Sequence, residues 1–155
     1  MRLWRVSSDR RARDFTGGYG LLNAGRWNTP ARAVTYCATV PSLAGLEKRV
    51  HVSDPALLPP QVIVEYDAPD DLLQREVEIA ALGPGWTTRE SDTQRIGNAW
   101  LDAATEILLF VPSVILPFAH VPDRNVLINH RHPDAARITI VSVVPFTLDP
   151  RLFQP

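Results

Sequence analysis

The sequence predicts an α+β domain in which short strands alternate with a few short helices. Two segments rich in β-branched residues, 61–66 and 137–144, indicate strands, and residues 3–6 indicate a first short strand. A helix is indicated after Pro41, where apolar residues recur with helical spacing. Mixed elements of this kind pack as an α+β architecture. The length and the lack of internal repeats predict one domain over residues 1–155.

Glycines and a short strand dominate the first forty residues. The glycines of residues 17–20 predict a surface loop without the lysine or following helix signal of a phosphate-binding P-loop. Residues 33–37 predict a strand in which Tyr36 and Val34 face the same side. Tyr36 is then either an ordinary core tyrosine or an aromatic face in a binding site.

The predicted helix after Pro41 carries an acidic residue at the border of its apolar stripe. Proline suits the first helical turn, and Leu43, Leu46 and Val50 would face a core. Glu47 lies four residues after Leu43. Its carboxylate either reaches solvent or lies in a cleft.

Later elements are less regular. Residues 70–82 predict a turn and then a strand that ends before Gly83, and Ser91 or Asp92 predicts the N-cap of a helix running to about Asp102.

A buried strand is predicted at residues 107–111, and Ser113 follows its end. The Ser113 hydroxyl either enters a cleft or satisfies a turn. A shorter segment at residues 125–129 precedes the final strand.

Composition places the chain among soluble globular proteins, with 45% hydrophobic residues and a net charge of −1. This charge favours neither direct nucleic-acid binding nor attraction to a membrane. The single Cys37 lies in an apolar strand and should pack as a small buried residue. The apolar run at residues 107–119 contains two prolines and is too short to span a bilayer, so we expect a cytoplasmic protein.

Two further patterns carry groups suited to chemistry. Arg26 follows Gly25, whose capacity for positive φ could aim the guanidinium at an anion; otherwise Arg26 packs on Trp27 or pairs with a local aspartate. His130, His132 and Asp134 lack a further cluster of histidines or cysteines, so we expect no metal site.

A series of spaced motifs resembles the RES domain family, named after an arginine, a glutamate and a serine. The motifs are Gly25-Arg26-Trp27-Asn28, Tyr36, Leu43-Ala44-x-Leu46-Glu47, Gly85-Trp86, Ile96-Gly97-Asn98-x-Trp100-Leu101, Val111-Pro112-Ser113 and Asn125-x-Leu127-x-Asn129-x-x-His132-Pro133. The name residues would be Arg26, Glu47 and Ser113.

The resemblance implies an ADP-ribosyltransferase-like fold, with a central mixed or antiparallel split β-sheet flanked by short helices. It also implies the toxin of a bacterial type II toxin–antitoxin system that degrades NAD by cleaving the nicotinamide–ribose bond, as a glycohydrolase or a phosphorylase. The acceptor stays open between water, phosphate and a protein side chain; the last would make the chain an ADP-ribosyltransferase. An inactive partner-binding domain is the alternative from another class.

The resemblance also implies a set of site residues. Catalytic roles fall on Glu47, Arg26 and Tyr36, and NAD contacts on Arg26, Tyr36, Ser113, Trp27, Asn125, Asn129 and His132. NAD would be the substrate, with no metal. The partner expected for this family is a helical, DNA-binding Xre-like antitoxin that covers the active site in a hetero-oligomeric complex.

Overall fold

A computed structural model describes residues 1–153, in which seven strands form one mixed sheet. The strands are β1 (Arg2–Ser8), β2 (Val34–Ala38), β3 (Gln61–Asp67), β4 (Gln74–Glu76), β5 (Leu108–Pro112), β6 (Arg124–Asn129) and β7 (Thr139–Phe146). Their order across the sheet is β4-β5-β6-β2-β1-β3-β7. Only β4 and β5 run parallel, and every other neighbouring pair is antiparallel.

The sheet is nearly divided in the middle. Strands β1 and β2 meet at one pair of residues, Trp4 and Ala38, whereas β1 and β3 pair over seven positions from Arg2 to Ser8. Two halves, β4-β5-β6-β2 and β1-β3-β7, therefore diverge from a narrow junction. This arrangement confirms the predicted α+β fold with a split mixed sheet.

Four short helices flank the sheet. They are α1 (Gly18–Leu22), α2 (Pro41–Val50), α3 (Ile79–Leu82) and α4 (Glu90–Ala103). The predicted start of α2 at Pro41 is confirmed. Leu43 is fully buried, but Val50 is 57% exposed, so the predicted apolar stripe ends before the last turn. Within residues 1–153, no helix combines the length and apolarity needed to cross a membrane.

Helix α1 lies where the sequence predicts a loop. It has three glycines in or beside its five residues, which lowers its intrinsic propensity. Tertiary packing overrides that propensity: a Cβ on Gly20 would lie 2.5 Å from the Arg32 carbonyl oxygen, so only glycine lets α1 approach the entry of β2 this closely.

The N-cap prediction for α4 is wrong. The helix begins at Glu90, and its N-cap residue Arg89 makes no side-chain capping bond. Arg89 instead donates to the carbonyls of Leu82 and Pro84 and pairs with Asp92, which fixes the helix start against the preceding loop.

Two later segments also differ from prediction. The strand expected before Gly83 occupies only Gln74–Glu76, and the helix Ile79–Leu82 follows it. The last strand begins two residues later than predicted, because the 3-10 turn Pro133–Arg137 takes up Arg137.

Hydrophobic clusters cover both faces of the sheet. Alternation along β5 and β6 sends Leu108, Val126 and Ile128 to one cluster and Leu109 and Leu127 to the other. The second cluster also contains Trp27 and Trp100, and it lies on the face that carries the candidate site.

Candidate active site

Strand register places two predicted site residues on one face of the sheet. Tyr36 pairs with Leu127 and Ala38 pairs with Asn125. Tyr36 and Asn125 are therefore diagonal neighbours on adjacent strands, about 7–8 Å apart at their Cα atoms. Tyr36 and Asn125 are both half-buried.

Glu47 lies over this face at the end of two hydrogen bonds. Its Oε1 accepts from the Ser113 hydroxyl at 2.9 Å and from the Asn125 amide. Both bonds reach the same carboxylate oxygen, and no hydrogen bond to Oε2 is formed among residues 1–153. The carboxylate is thus held in one orientation by α2, β6 and the residue after β5, while its second oxygen remains available.

Ser113 is fully buried behind Glu47. Its Oγ also accepts from the backbone N–H of Ile115 at 3.0 Å. The serine therefore satisfies a turn, which was one of the two alternatives left open by the sequence, and it also bonds the Glu47 carboxylate. The side chain has no exposed surface, so its hydroxyl does not open onto solvent in this structure.

Arg26 and Trp27 occupy the tip of a tight turn. Gly25 and Asn28 exchange backbone hydrogen bonds of 2.9 and 3.3 Å, which closes the turn. The Tyr36 hydroxyl accepts from the Trp27 N–H at 3.0 Å and donates to Asn28 Oδ1 at 2.8 Å. Tyr36 therefore anchors the turn that presents Arg26.

The reason for glycine at position 25 differs from the prediction. Gly25 does not adopt positive φ; among residues 1–153 the glycines that do are Gly17, Gly83 and Gly85. A Cβ on Gly25 would instead lie 2.7 Å from both Asn28 Oδ1 and the Tyr36 hydroxyl oxygen. Close approach to Tyr36, and not backbone conformation, requires the glycine.

Helix α4 supports the same turn from the other side. The Thr93 hydroxyl donates to the Arg26 carbonyl at 2.6 Å, and Asn98 exchanges hydrogen bonds with Thr29. Gly97 packs on Trp27 so closely that a Cβ would lie 1.9 Å from the Trp27 carbonyl oxygen. The spaced motif around Gly97 is therefore a docking surface for the Arg26 turn.

The Arg26 guanidinium has no protein partner for its charge. It makes no ion pair within residues 1–153. Its Nη1 is shielded from water and has no hydrogen-bond acceptor. A shielded, unpaired cationic nitrogen is costly unless an anion completes it. Arg26 is therefore suited to bind phosphate or carboxylate groups of a ligand.

Burial dominates the electrostatics of Tyr36. It raises the pKa of the phenol above its ordinary value, the Trp27 N–H opposes this, and the charge of Glu90 adds to it. Tyr36 is consequently a neutral hydroxyl that both donates and accepts a hydrogen bond.

Three further side chains predicted to contact NAD make contacts within the protein. Trp27, beside Arg26 in the turn, is 2% exposed and belongs to the core cluster under α4. Asn129 is fully buried, donates to the Leu101 carbonyl, and lies four residues beyond Asn125, about 13 Å along the strand. His132 Nδ1 accepts from the Asp134 N–H and caps the turn that follows. Contact of these three side chains with NAD stays a prediction.

Within the part of the chain that the structure describes, no three His, Cys, Asp or Glu side chains lie close enough together to hold a metal ion.

Several residues of the site were not singled out from the sequence. Asn28 appears there only as part of a motif, yet its buried side chain bonds Tyr36 and the backbone of the turn. Thr93 and Gln94 carry no local signal, because their roles depend on α4 meeting a turn more than sixty residues earlier.

Comparison with protein families decides the classification. The RES domain matches residues 2–149. The chain belongs to the RES domain family. This RES chain is 39% identical over 155 residues to Toxin Res of Pseudomonas putida, covering 99% of this chain and 100% of the relative. It is 35% identical over 159 residues to the Prs ADP-ribosylating toxin of Sphingobium sp., covering 97% and 96%.

The RES fold is also seen in a solved structure. A chain of the Mycobacterium tuberculosis MbcT–MbcA toxin–antitoxin complex superposes with a TM-score of 0.73 over 98% of this chain and 86% of that chain. Sequence identity is 17%, so the likeness is one of fold.

Proposed function

We propose that this RES chain is the toxin of a bacterial type II toxin–antitoxin system and that it consumes NAD in the cytoplasm. One observation carries the chemical part of the proposal: the oriented Glu47 carboxylate bonds Asn125, and the turn that carries Arg26 is held by Tyr36 on the same face of the sheet, with no partner for Arg26 Nη1 among residues 1–153. The names of the relatives support the cellular part.

Cleavage of the nicotinamide–ribose bond suits a site with one free carboxylate oxygen. The nicotinamide nitrogen is cationic before cleavage, so the leaving group departs neutral and needs no general acid. Positive charge develops on the ribose, and a fixed carboxylate stabilises it, as in glycoside hydrolysis. We assign this role to Glu47 Oε2, because Oε1 is already held by Ser113 and Asn125.

Arg26 and Tyr36 bind the remainder of the substrate in this proposal. The planar guanidinium pairs with the pyrophosphate, which supplies the acceptor that Nη1 lacks. The half-buried Tyr36 ring, held through its hydroxyl, offers a face to the cationic nicotinamide ring. Ser113 and Asn125 are positioning residues that act through Glu47.

Measurements of growth rate and intracellular NAD concentration in the same culture test whether the chain is a toxin that acts by consuming NAD. Induced expression of the wild type should arrest growth and deplete NAD, whereas Glu47→Gln, expressed to the same level, should do neither. Growth arrest with unchanged NAD would contradict NAD degradation as the cause of toxicity.

A second candidate function is ADP-ribosylation of a protein. The name of the Sphingobium relative favours it. Both reactions share the cleavage step and differ in the acceptor, which is water or phosphate in one and a protein side chain in the other. Intact-mass spectrometry of cell proteins after incubation with NAD separates them: stoichiometric ADP-ribose adducts would indicate the transferase, and their absence during rapid nicotinamide release would indicate glycohydrolase or phosphorylase activity.

An unrestrained NAD-consuming enzyme would damage its own cell. We therefore infer a cognate antitoxin, in keeping with the complex in which the structural neighbour was solved. An Xre-like protein that covers the Glu47 site is the partner we propose. Co-expression with the adjacent gene product should restore growth and block nicotinamide release.

A further inference from the structure

A second carboxylate lies beside the Arg26 turn. Gln94 Nε2 donates to Glu90 Oε1 at 3.1 Å and to the Gly25 carbonyl at 3.0 Å. The Thr93 hydroxyl bonds the carbonyls of both Glu90 and Arg26, at 2.9 and 2.6 Å. Glu90 is thus connected through two side chains to the peptide that carries Arg26.

The Glu90 carboxylate is free to meet a ligand. It is exposed and makes no ion pair within residues 1–153. Its hydrogen bond to Gln94, which also reaches the Gly25 carbonyl, places Glu90 beside the Arg26 turn, and its charge contributes to the raised pKa of Tyr36. Among residues 1–153, neither Glu90 nor the arginine of that turn forms an ion pair.

The site residues fall into two ends with the Arg26 turn between them. Glu47, Asn125 and Tyr36 lie together on the two neighbouring strands at one end, and Glu90 lies on the other side of the Arg26 turn. NAD has a ribose on each side of its pyrophosphate. With the nicotinamide and its ribose at the Glu47 and Tyr36 end and the pyrophosphate at Arg26, the adenosine ribose falls on the Glu90 side.

Building on the proposed function, we propose that Glu90 binds the adenosine ribose hydroxyls of NAD and excludes NADP. A carboxylate accepts hydrogen bonds from the 2′- and 3′-hydroxyls, which is a common way for proteins to recognise this ribose. NADP carries a phosphate in place of the 2′-hydroxyl hydrogen, and that dianion would be repelled by Glu90. Glu90 is therefore a specificity-determining residue that takes no part in bond cleavage.

Steady-state kinetics with both dinucleotides tests the assignment. The wild type should prefer NAD over NADP by about 100-fold in kcat/KM, and Glu90→Gln should reduce that preference at least about tenfold, through KM with kcat nearly unchanged. Glu106→Gln is the matched control, because Glu106 precedes β5 at the end opposite Ser113. The control should keep the wild-type preference. An unchanged preference in Glu90→Gln, or equal use of both dinucleotides by the wild type, would overturn the assignment.

Binding measurements separate this inference from the proposed chemistry. Titration calorimetry with ADP-ribose and 2′-phospho-ADP-ribose needs no turnover. The wild type should prefer ADP-ribose, and Glu90→Gln should lose most of that preference. If the preference holds while the wild type releases no nicotinamide, the proposed reaction fails and the Glu90 assignment stands. Equal binding of the two ligands by the wild type would overturn Glu90 even if NAD is consumed.

Discussion

The Ser113 hydroxyl donates a 2.9 Å hydrogen bond to Glu47 Oε1 across 66 residues of sequence. It joins the end of β5 to the middle of α2. Two of the three residues that give the RES family its name are therefore in direct contact, with the serine fully buried and the glutamate half-buried. The serine orients the carboxylate through Oε1, and no protein group among residues 1–153 bonds Oε2.

Removing this hydroxyl should harm both activity and stability. Ser113→Ala leaves the Ile115 N–H without its acceptor and frees Glu47 to change rotamer. We expect kcat to fall about 10–100-fold and the free energy of unfolding to fall by about 1–3 kcal/mol. Ser142→Ala is the matched control, because its hydroxyl bonds Glu65 at 3.0 Å in β3. Steady-state kinetics gives kcat, and urea unfolding curves give the free energy of unfolding. An equal loss of kcat in both variants would show that Ser113 has no specific role in orienting Glu47.

Arg26 should matter for binding and little for folding. Because Nη1 has no partner to lose, Arg26→Ala should leave the unfolding midpoint within error or raise it slightly. Affinity for ADP-ribose should fall at least about 30-fold, and Arg26→Lys should recover only part of it, since an ammonium cannot make the two-point contact. Calorimetric titration decides this. Unchanged affinity in Arg26→Ala would give Arg26 a structural role.

The contact between α4 and the Arg26 turn predicts which glycines tolerate a methyl group. Gly97→Ala would place Cβ 1.9 Å from the Trp27 carbonyl oxygen, so the turn must move away. We expect a loss of at least about 2 kcal/mol in the free energy of unfolding and loss of NAD binding. Gly45 lies in α2, and a Cβ there would lie 3.5 Å from Phe146 Cζ, which is an ordinary van der Waals contact. Gly45→Ala should therefore be neutral or stabilising by up to about 1 kcal/mol. Similar chemical denaturation curves for the two variants would contradict the packing described for Gly97.

His130 should make stability depend on pH in mildly acidic solution. Burial, with a contribution from Arg5, lowers its pKa from 6.5 to about 4. In the unfolded chain the imidazole takes up a proton below about pH 6.5, whereas in the folded protein it stays neutral until about pH 4. The contribution of neutral, buried His130 to the free energy of unfolding is therefore complete above pH 6.5. It falls by up to about 3 kcal/mol as the pH drops toward 4.

Comparison of wild type and His130→Gln isolates this effect. Glutamine keeps a polar atom for the Thr35 hydroxyl, which bonds His130 Nε2 at 2.8 Å. The difference in unfolding free energy between the two proteins should shrink between pH 7 and pH 4.5, whereas exposed His51→Gln should show no such trend. If the difference in unfolding free energy between wild type and His130→Gln does not change with pH, the lowered pKa of His130 is contradicted.

Elements with a strong local pattern were predictable from the sequence. Residues 107–111 are a continuous apolar run, residues 61–66 are rich in β-branched and apolar residues, and the helix at Pro41 has both a start signal and helical spacing. The N-cap of α4 was missed, because Arg89 is held by carbonyls of a different loop. Helix α1 was missed because its stability comes from packing and not from its glycine-rich sequence.

Motif order grouped some residues of the candidate site, but it did not predict their contacts. The order of the motifs predicted that Glu47, Ser113 and Asn125 belong to one site, and in the structure Ser113 and Asn125 both bond Glu47. Nothing local distinguishes a residue that touches a ligand from one that supports it. Asn129 matches the same motif as Asn125, yet it is buried four positions along the strand.

Nicotinamide release from NAD by the purified protein tests the central claim most directly. NMR would follow wild type and Glu47→Gln, with and without phosphate, after circular dichroism shows both to be folded. Release by the wild type and a loss of at least about a thousandfold in Glu47→Gln are expected, because the change removes the charge and keeps the shape. Phosphate dependence would identify a phosphorylase. Equal release by the two proteins would contradict the assignment of Glu47 as the catalytic carboxylate.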